Sequence, residues 1–473
     1  YFEENKIPYN KTYLAYINKY NKNLSNTLFT YRDIIKFKLI KYDIQSKKSK
    51  SKSKSKSKSK SKSKKSSKKI SKGVINQLET INKIGNYDSF HYQKLNQSQE
   101  LNNLAFQVKN NLVDETPNKS IPNEVRKVTE GFARGVSQYI NQKYKIPLKL
   151  SNAFMKLWEI YSSVPQIIPN KKKLTVFHFA EAPGHWINCT NYFITNKKQN
   201  IENYQWFANS LNHKHPTNIK KFGKGIFGDH YGFIKKYPDQ WLYGADQTGD
   251  ITKPRNIKWF RNYFEKNLQG QKIDLLTGDA GMVGDGIELV DLQKIEYGQM
   301  AMVAGIANEG TNCVIKHFLP YLNSIPTSDK ASGFFISLMY CYYLMFKEVI
   351  LLKPHTSNPN SGEFYLAGLK FKKISDRHRE KIISILDNFK ENECCFKEKD
   401  IPESFSDQVI EFIETIMKQR TQQYELQTML MTCLVDKDLV IEKVTKCNDY
   451  LIPKFIKDIQ SKRYQEWTKQ NRF

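Results

Sequence analysis

The first segment whose residues could do chemistry is FHFAEAPGHW, residues 177–186. An apolar strand there ends in a turn of small residues and passes into a helix. In a doubly wound sheet, such a turn at the carboxyl end of a strand binds a nucleotide-like ligand, because small side chains let backbone N–H groups approach it. The segment lacks the G-x-G-x-x-G pattern, which argues against a dinucleotide enzyme, and a turn with Pro and Gly is also plain punctuation.

Further segments place a charged residue next to an apolar run. Asp246 and Asp250 lie in YGADQTGDITKPRNI, where an acid could accept hydrogen bonds from a ribose or an adenine amino group, or could form an Asx turn and cap a helix. Asp279 directly follows the apolar run in DLLTGDAGM. Lys316 ends the run in NCVIKHF, where its charge is costly unless it is paired or used. Glu363 opens a strand after a Pro/Ser/Asn loop. Each could be an ordinary surface charge, but their common placement favours a site.

The elements that must position these residues alternate as in an α/β protein. Short apolar runs are separated by segments long enough for crossover helices. The predicted strands are LTVFHFA, WLYGAD, KIDLLTGDAG, TNCVIKHF, KEVILLKP and GEFYLAGLKF. This alternation predicts an α/β sheet. Upstream of it, Ser151 or Asn152 could cap a helix that carries AFMKLWEIYSSV.

The remainder of the chain divides by composition. Residues 1–45 show a helix-like spacing of Tyr, Phe, Ile and Lys and are predicted as a helical segment. Residues 46–72 are a Ser/Lys linker, predicted to be disordered because it cannot bury apolar surface. Residues 73–150 are helical and polar, and residues 151–373 are the α/β domain. Residues 374–473 are a helical C-terminal extension, either packed on the core or used to bind RNA.

The charge balance favours a polyanionic partner. The chain has 473 residues, with 75 Lys and Arg against 47 Asp and Glu, for a net charge of +28. The run from Ser46 to Lys69 contributes 13 lysines, which leaves +15 elsewhere. A basic folded part suits a nucleic acid. The basic and aromatic segments HYGFIKKYPDQWLY and KWFRNYFEK could stack a base and hold phosphates, or could belong to the core.

Cysteine usage and hydrophobic runs bear on other classes of protein. The 7 cysteines are an odd number with no C-x-x-C pair and no histidine at zinc-ligand spacing, so we expect no disulfide framework, no metal site and a reducing compartment. The longest apolar run, SGFFISLMYCYYLMF, is shorter than the ~20 residues that a bilayer needs. It is predicted as a buried helix, with no membrane partner. The sequence begins at Tyr1 rather than Met, so the original N-terminus and any targeting signal could be missing.

Taken together, these segments resemble the FtsJ-like (RrmJ-type) ribose 2′-O-methyltransferases. Within that family they are most similar to the Adrift-type mRNA cap methyltransferases and their relatives in large DNA viruses. The resemblance covers about residues 150–373 and rests on FAEAPGHW, WFANSLNHKH, GADQTGDI, TGDAG, VIKHF and SGEFYLAG. It implies a Rossmann-like sheet that binds S-adenosyl-L-methionine, and a catalytic tetrad of Lys156, Asp279, Lys316 and Glu363.

The resemblance also implies roles for these residues. Lys316 would be the base that accepts the proton of a 2′-hydroxyl, and Lys156 would lower the pKa of Lys316 and orient the hydroxyl. Asp279 and Glu363 would hold the two lysines by ion pairing. The implied cofactor contacts are Glu181, Ala182, Pro183, Gly184, His185, Trp186, Asp246, Asp250 and Asp279.

Two positions depart from the compact family pattern. His178 stands where that pattern has an acid, and Glu181 could replace the missing acid. His185 stands where the pattern has a second glycine, and both His185 and Trp186 could equally be packing residues.

The chemistry of the implied tetrad is consistent with O-methylation. A 2′-hydroxyl is a weak nucleophile at neutral pH and needs a base, whereas guanine N7 already presents a lone pair. We therefore expect an S-adenosylmethionine-dependent RNA ribose 2′-O-methyltransferase acting on the mRNA cap region, with no metal. Its expected partners are RNA and the transcription or capping machinery. The expected location is cytoplasmic, in a viral factory or virion, with a nuclear one left open. Three alternatives stay open: an inactive RNA- or cap-binding subunit with the same fold, a tRNA or rRNA 2′-O-methyltransferase, and a structural virion protein.

Overall fold

A computed structural model describes residues 34–41, 79–90, 129–198, 200–223, 228–281, 288–320, 330–434 and 451–473. Within these residues the centre of the protein is a seven-stranded sheet. Its strands are β1 (Ile35–Leu39), β2 (Lys173–Phe179), β3 (Asn203–Ala208), β4 (Leu275–Gly278), β5 (Asn312–Phe318), β6 (Phe346–Lys353) and β7 (Glu363–Phe371). The spatial order is β1-β6-β7-β5-β4-β2-β3. Strands β3, β2, β4 and β5 are parallel, whereas β7 is antiparallel to both β5 and β6.

Helices cover both faces of this sheet. The longer ones are α1 (Phe132–Tyr144), α2 (Asn152–Ser163), α3 (His185–Lys197), α4 (Pro216–Phe222), α5 (Phe233–Lys236), α6 (Pro254–Asn267), α7 (Leu289–Ile306), α8 (Lys330–Met345), α9 (Asp376–Ser384), α10 (Glu403–Leu434) and α11 (Leu451–Gln470). Short 3-10 turns lie at Pro165–Ile167, Pro238–Gln240, Ile385–Asn388 and Glu398–Asp400. The predicted α/β fold is confirmed, with the topology of a Rossmann-like sheet.

The sequence of β2 explains why the sheet is covered on both faces. Successive side chains of a strand point to opposite faces, so Phe177 and Phe179 enter the core cluster shared with α6, α7 and α8. Leu174 and Val176 enter the cluster formed with α1, α2 and α3. A strand that is apolar at consecutive positions is stable only when both of its faces are buried.

Five of the six predicted strands are present as β2, β4, β5, β6 and β7, and the apolar run at 332–346 is the buried helix α8. The prediction of a strand at WLYGAD is wrong. Only Trp241 pairs there, through a single parallel bridge to Ala208. The chain then turns at Gly244, where φ is 79°. The sequence NYQWFA forms β3, which the strand prediction did not include.

The prediction of a helical segment over residues 1–45 is wrong where the structure describes it. Residues 35–39 form β1, an antiparallel edge strand on β6. The physical reason is a period of two: Ile35, Phe37 and Leu39 turn towards the core while the two intervening lysines are exposed. Residues 1–33 and the whole Ser/Lys run lie outside the described residues.

The chain beyond residue 373 contributes helices to both faces. Helix α10 packs on β1, where Phe412 contacts Phe37 and Gln408 accepts a hydrogen bond from the Ile40 N–H group at 2.6 Å. Helix α11 lies against α1 and α2, with Trp467 in their shared core. Among the described residues, no helix is both long enough and apolar enough to cross a membrane.

Candidate active site

The four tetrad side chains meet at one edge of the sheet. Asp279 directly follows β4, and Lys316 lies near the carboxyl end of β5. Strand β7 runs antiparallel to β5 and pairs Glu363 with Phe318, so the start of β7 lies beside the end of β5. Lys156 reaches the same edge from α2, whose N-terminus is capped by the predicted residue Ser151: its hydroxyl accepts the Phe154 N–H at 3.1 Å.

Two ion pairs join these four side chains. Lys156 Nζ lies 2.8 Å from Glu363 Oε1 and 3.0 Å from Glu363 Oε2. Lys316 Nζ lies 2.8 Å from Asp279 Oδ1 and donates a hydrogen bond to the Asp279 backbone oxygen at 3.1 Å. The side chains retain between 12% and 20% of their exposure. Each lysine is therefore held by one acid, at a place that a ligand can still reach.

Glu363 is fixed from several directions. Its Oε1 accepts hydrogen bonds from the Ser357 hydroxyl at 2.8 Å and the Tyr365 hydroxyl at 2.9 Å. Burial alone would raise the pKa of Glu363, but the charges of Lys156, Lys316 and Lys353 outweigh it and hold the pKa well below its usual range. Glu363 is thus a carboxylate at neutral pH.

The protonation of Lys316 differs from the expectation. Burial lowers its pKa, but the charges of Asp279 and Glu363 and the hydrogen bond to Asp279 outweigh burial, so the pKa of Lys316 is raised above its ordinary value. The expected lowering of that pKa by Lys156 is not found, because the attraction of Asp279 and Glu363 for the charged amine outweighs the effect of burial. Lys316 is therefore an ammonium group here.

Sequence reasoning missed a third lysine, Lys353, at the end of β6. Its Nζ donates to the backbone oxygens of Asn358, Ser361 and Glu363, at 3.0, 2.8 and 2.6 Å, and lies 3.1 Å from Ser357 Oγ. Burial lowers its pKa to about 7. The signal was available, because Lys353 ends an apolar strand in KEVILLKP just as Lys316 does in NCVIKHF.

The candidate cofactor turn is built at the end of β2. Ala180 has a φ of 54° and Gly184 a φ of 110°, and the peptide between Ala182 and Pro183 is cis. A Cβ atom at Gly184 would lie 2.5 Å from Cδ2 of Phe233. Only glycine combines this φ with this close approach. The turn therefore brings its backbone tightly against α5 and starts α3 beside the site.

Glu181 connects this turn to the tetrad. Its Oε1 accepts the N–H groups of Trp186 and Ile187 at 2.6 and 3.1 Å, at the start of α3. Its Oε2 is buried and receives no hydrogen bond from the described residues. Burial, and then the charge of Asp279, raise the pKa of Glu181 well above its usual range. A buried carboxyl oxygen without a partner, next to Asp279, fits a polar ligand at this turn.

The neighbouring aromatic and histidine residues differ in exposure. His178 is fully buried, and its Nδ1 lies 2.7 Å from Thr277 Oγ1. Burial lowers its pKa to about 3, so it is a neutral core residue. The indole of Trp186 is also buried, against Tyr365. His185 is half-buried, with Nδ1 2.7 Å from the Tyr231 hydroxyl, and is the one of these three that borders solvent.

Asp246 and Asp250 lie in the loop before α6, and the structure gives them different surroundings. Asp246 forms ion pairs with Lys253 and Arg255 at 2.8 and 2.5 Å. It also closes an Asx turn with the Thr248 N–H at 3.0 Å. Although burial opposes it, these hydrogen bonds hold the pKa of Asp246 well below its usual range. Asp250 uses Oδ1 to bind the N–H and hydroxyl of Thr252, at 2.9 and 2.7 Å. Of the two acids, Asp250 keeps the oxygen better available to a ligand.

The described residues contain no cluster of three or more His, Cys, Asp or Glu side chains that could hold a metal ion. The cysteines at 189, 313, 341, 394 and 395 are buried free thiols.

Comparison with known proteins finds relatives in viruses and in animals. An uncharacterized protein of Acanthamoeba polyphaga mimivirus is 30% identical over 266 residues, which are 55% of this chain and 31% of the relative. A probable methyltransferase of African swine fever virus is 24% identical over 334 residues, 68% of this chain and 71% of the relative. The cap-specific mRNA (nucleoside-2′-O-)-methyltransferase 2 of Drosophila melanogaster is 27% identical over 227 residues, 47% of this chain and 30% of the relative.

The chain thus spans about a third of the length of the mimivirus and Drosophila relatives. Residues 150–371 match the FtsJ-like methyltransferase family. That match covers strands β2 to β7, the turn after β2 and all four tetrad residues, so this part of the chain is similar to the FtsJ-like methyltransferases.

Proposed function

We propose that the protein is an S-adenosylmethionine-dependent RNA ribose 2′-O-methyltransferase that acts on the mRNA cap region. The observation that carries the proposal is the pair of lysine–carboxylate contacts, Lys156 with Glu363 and Lys316 with Asp279, side by side at the ligand-binding edge of the sheet. An enzyme that only positions a better nucleophile, such as a ring nitrogen, does not need two partly buried lysines that are each paired with a carboxylate.

Lys316 is the proposed base. A ribose 2′-hydroxyl must lose its proton as it attacks, and a neutral amine within hydrogen-bond reach can accept it. Asp279 holds the Lys316 amine at the edge by two contacts, through Oδ1 and its backbone oxygen. Lys156, fixed by Glu363, donates hydrogen bonds that orient the hydroxyl. Because its acids raise the pKa of Lys316, only a minor neutral fraction of Lys316 reacts at neutral pH.

The proposed cofactor is S-adenosyl-L-methionine, which supplies a methyl group on a sulfonium ion when bound. The residues that would hold it are Glu181, Gly184, Asp250 and Asp279, around the turn after β2. Glu181 Oε2 is a buried acceptor without a donor among the described residues, and Asp279 lies close enough to raise the pKa of Glu181. Carboxyl groups of this kind suit the ribose hydroxyls and the cationic groups of such a cofactor.

The mRNA cap is the proposed target because of the relatives. The Drosophila relative is named as a cap-specific mRNA methyltransferase, and the African swine fever virus relative as a probable methyltransferase. Association with transcription or capping machinery, and a cytoplasmic location in a viral factory or virion, are part of this proposal, and the presence of viral relatives supports them.

RNA would approach the site over a surface that we call the basic edge: Lys143, Tyr144, Lys145 and Lys149, between α1 and α2. All four are exposed, Tyr144 by 45%. Lys143 Nζ lies 5.1 Å from the centre of the Tyr144 ring. The sequence contains no Asp or Glu from residue 131 to 158. The lysines could neutralise RNA phosphates while a neighbouring base stacks on the exposed tyrosine ring.

The basic edge adjoins the active site through Tyr231. The Tyr231 hydroxyl donates to the Lys149 backbone oxygen at 3.4 Å and lies 2.7 Å from His185 Nδ1. His185 directly follows the cofactor turn. Burial lowers the pKa of His185, and the charge of Asp279 partly opposes this shift. An RNA strand on the basic edge would therefore lead towards the tetrad.

One observation favours a second candidate. The raised pKa of Lys316 suits a lysine that binds an RNA phosphate as a permanent cation. An inactive RNA-binding subunit with the same fold would use Lys316 in that way. The two candidates differ in whether replacing Lys316 abolishes methyl transfer or RNA affinity.

The experiment that tests the proposed target uses methyl-labelled S-adenosylmethionine and four short RNAs: uncapped, capped, capped with N7-methylguanosine, and pre-methylated at the first nucleotide. Nuclease digestion then locates the label. Label on a 2′-oxygen of the first or second nucleotide of capped RNA supports the proposal and names the position. Equal labelling of uncapped RNA would move the target to another RNA, and absence of label with intact cofactor binding would favour the inactive subunit.

A further inference from the structure

The loop between β6 and β7, residues 354–362, delivers Glu363 to the active site. Lys353 fixes its beginning and its end, because it donates to the backbone oxygens of Ser361 and Glu363 from the last position of β6. The Ser357 side chain in the middle of the loop donates to Glu363 itself at 2.8 Å. The position of Glu363, and through it that of Lys156, therefore depends on how this loop is held.

Glu159 holds the loop from α2. This carboxylate is only 2% exposed. Its Oε1 accepts the His355 N–H at 2.7 Å, and its Oε2 accepts the N–H and hydroxyl of Thr356 at 3.0 and 2.8 Å. Glu159 lies three residues after Lys156, on the same side of the helix. Side chains from adjacent turns of α2 thus bind both ends of the loop. Glu159 binds the backbone at its start, and Lys156 binds Glu363, which directly follows its end.

The C-terminal helix α11 completes this arrangement. Trp467 donates its indole N–H to Glu159 Oε2 at 3.1 Å. Arg463 lies 2.9 Å from Nε2 of His355. At the end of α11, the Asn471 backbone oxygen accepts the indole N–H of Trp158 at 3.1 Å. Helix α11 lies some three hundred residues from Lys156 along the chain, yet it contacts both Glu159 and the loop that Glu159 holds.

The four donors around Glu159 matter because a buried carboxylate is stable only when its oxygens are satisfied. Two of the donors are backbone N–H groups of the loop, one on each carboxylate oxygen. An amide in place of the carboxylate has only one acceptor oxygen and cannot accept both hydrogen bonds in the same way. Replacing the carboxylate with an amide therefore weakens the hold on loop N–H groups, whereas removing the indole donor leaves Glu159 Oε2 with one hydrogen bond fewer and so weakens that hold indirectly. A packing residue would give the opposite result, with lower stability and an unchanged loop.

We infer that Glu159 is a positioning residue for methyl transfer, through which α11 makes the C-terminal extension part of the active site. Glu159 touches no tetrad side chain. It sets the place of the 354–362 loop, and that loop sets the place of Glu363. The effect on catalysis rests on the proposed function, whereas the effect on the loop does not.

The test compares Glu159→Gln and Trp467→Phe in the full chain. Trp467→Phe removes the indole donor and part of the buried ring but leaves the Glu159 carboxylate in place, so it tests the same hydrogen-bond network without removing the carboxylate. The matched control is Trp259→Phe, a half-buried tryptophan on α6. The three readouts are amide hydrogen exchange over 355–363, the kcat of methyl transfer with the Kd of the cofactor, and the pH dependence of kcat.

We expect faster exchange at residues 355, 356 and 363 in both variants. We expect kcat to fall at least about tenfold in Glu159→Gln and a few-fold in Trp467→Phe, at unchanged cofactor Kd. Because Glu363 helps raise the pKa of Lys316, its displacement also moves the alkaline rise of kcat to lower pH. A merely structural role would leave that pH profile in place.

Faster exchange with normal kcat and a normal pH profile would overturn the inference, and so would unchanged exchange in both variants. If the unaltered chain methylates no RNA, the proposed function fails. The positioning of Glu363 is then decided by exchange at residue 363 alone, which is expected to rise in the two variants and not in Trp259→Phe.

Discussion

Lys316 is bound twice by Asp279, through a carboxylate oxygen at 2.8 Å and the backbone oxygen at 3.1 Å. Both contacts favour the charged amine, and they fix its nitrogen at the end of β5, directly opposite the end of β4. In the proposed mechanism Asp279 holds this nitrogen in place, and the same nitrogen must lose its proton before it can accept one from a 2′-hydroxyl. The pH dependence of the reaction therefore reports on this pair.

The rate of methyl transfer should rise with pH. Only neutral Lys316 can accept the hydroxyl proton, and its acids raise its pKa above the ordinary value of about 10.4. Below that pKa the neutral fraction grows about tenfold per pH unit. We expect log kcat to climb with a slope near one from about pH 7 to pH 9, in single-turnover assays with saturating cofactor and RNA. A flat profile over that range would contradict the role of Lys316 as base.

Replacing Glu363 with Gln should slow the reaction and move this profile. Lys156 loses its ion pair, so we expect kcat to fall by about 10²-fold, in the range typical of positioned acid–base groups. The charge of Glu363 also raises the pKa of Lys316, so the rise in rate should begin at lower pH. Glu202→Gln removes an exposed acid that pairs with Lys172 on the surface and serves as the control. If kcat of Glu363→Gln rises over the same pH range as kcat of the unaltered chain, the result would be inconsistent with the structure.

Substituting Ala for Gly184 should weaken cofactor binding. The new Cβ atom would lie 2.5 Å from Phe233 at a φ of 110°, so the turn after β2 must shift. Isothermal titration should show at least about a tenfold increase in the Kd for S-adenosylmethionine. Gly310→Ala introduces the same left-handed strain, at a φ of 93°, with no atom near its Cβ. This control should lose about 1 kcal/mol of stability and bind cofactor normally; equal Kd values in the two variants would show that the turn does not hold the cofactor.

Reversing the charges of the basic edge should affect long RNAs most. For Lys143→Glu, Lys145→Glu and Lys149→Glu combined, we expect weaker binding of a 20-nucleotide RNA and a salt dependence of log Kd reduced by about 2, since each phosphate contact contributes about 0.7 for single strands. Methyl transfer to a capped dinucleotide should keep its kcat.

The control for that triple variant reverses three other exposed lysines, Lys173, Lys266 and Lys272, which lie near the amino ends of β2 and β4. Fluorescence anisotropy at several salt concentrations measures both. Equal losses in the two variants would mean that the chain binds RNA by overall charge, without a path along the basic edge.

The sequence predicted the features that depend on local pattern. Apolar runs located the central strands, and a charged residue at the end of such a run located Asp279 and Lys316. The helix-like spacing of residues 1–45 was misleading at residues 35–39, because these five residues alternate with a period of two and form a strand where β6 offers an edge to pair with.

Features set by distant contacts could not be predicted in the same way. Glu159 reads in sequence as a polar position on a helix, and its four donors come from a loop and a helix about two hundred and three hundred residues away. Asp246 resembled a ligand-binding acid, but Lys253 and Arg255 occupy its carboxylate. Opposing electrostatic effects decide the pKa of Lys316, and their balance depends on the positions of Asp279 and Glu363 in space.

The most direct test of the account is methyl transfer by Lys316→Ala. The unaltered chain and the variant are each given labelled S-adenosylmethionine and capped RNA, the label is located by nuclease digestion, and the Kd values for cofactor and RNA are measured separately. The account predicts label on a ribose 2′-oxygen, a loss of at least about 10²-fold in the variant, and both Kd values within about threefold of the original. Label on a base nitrogen, or transfer retained by the variant, would contradict it.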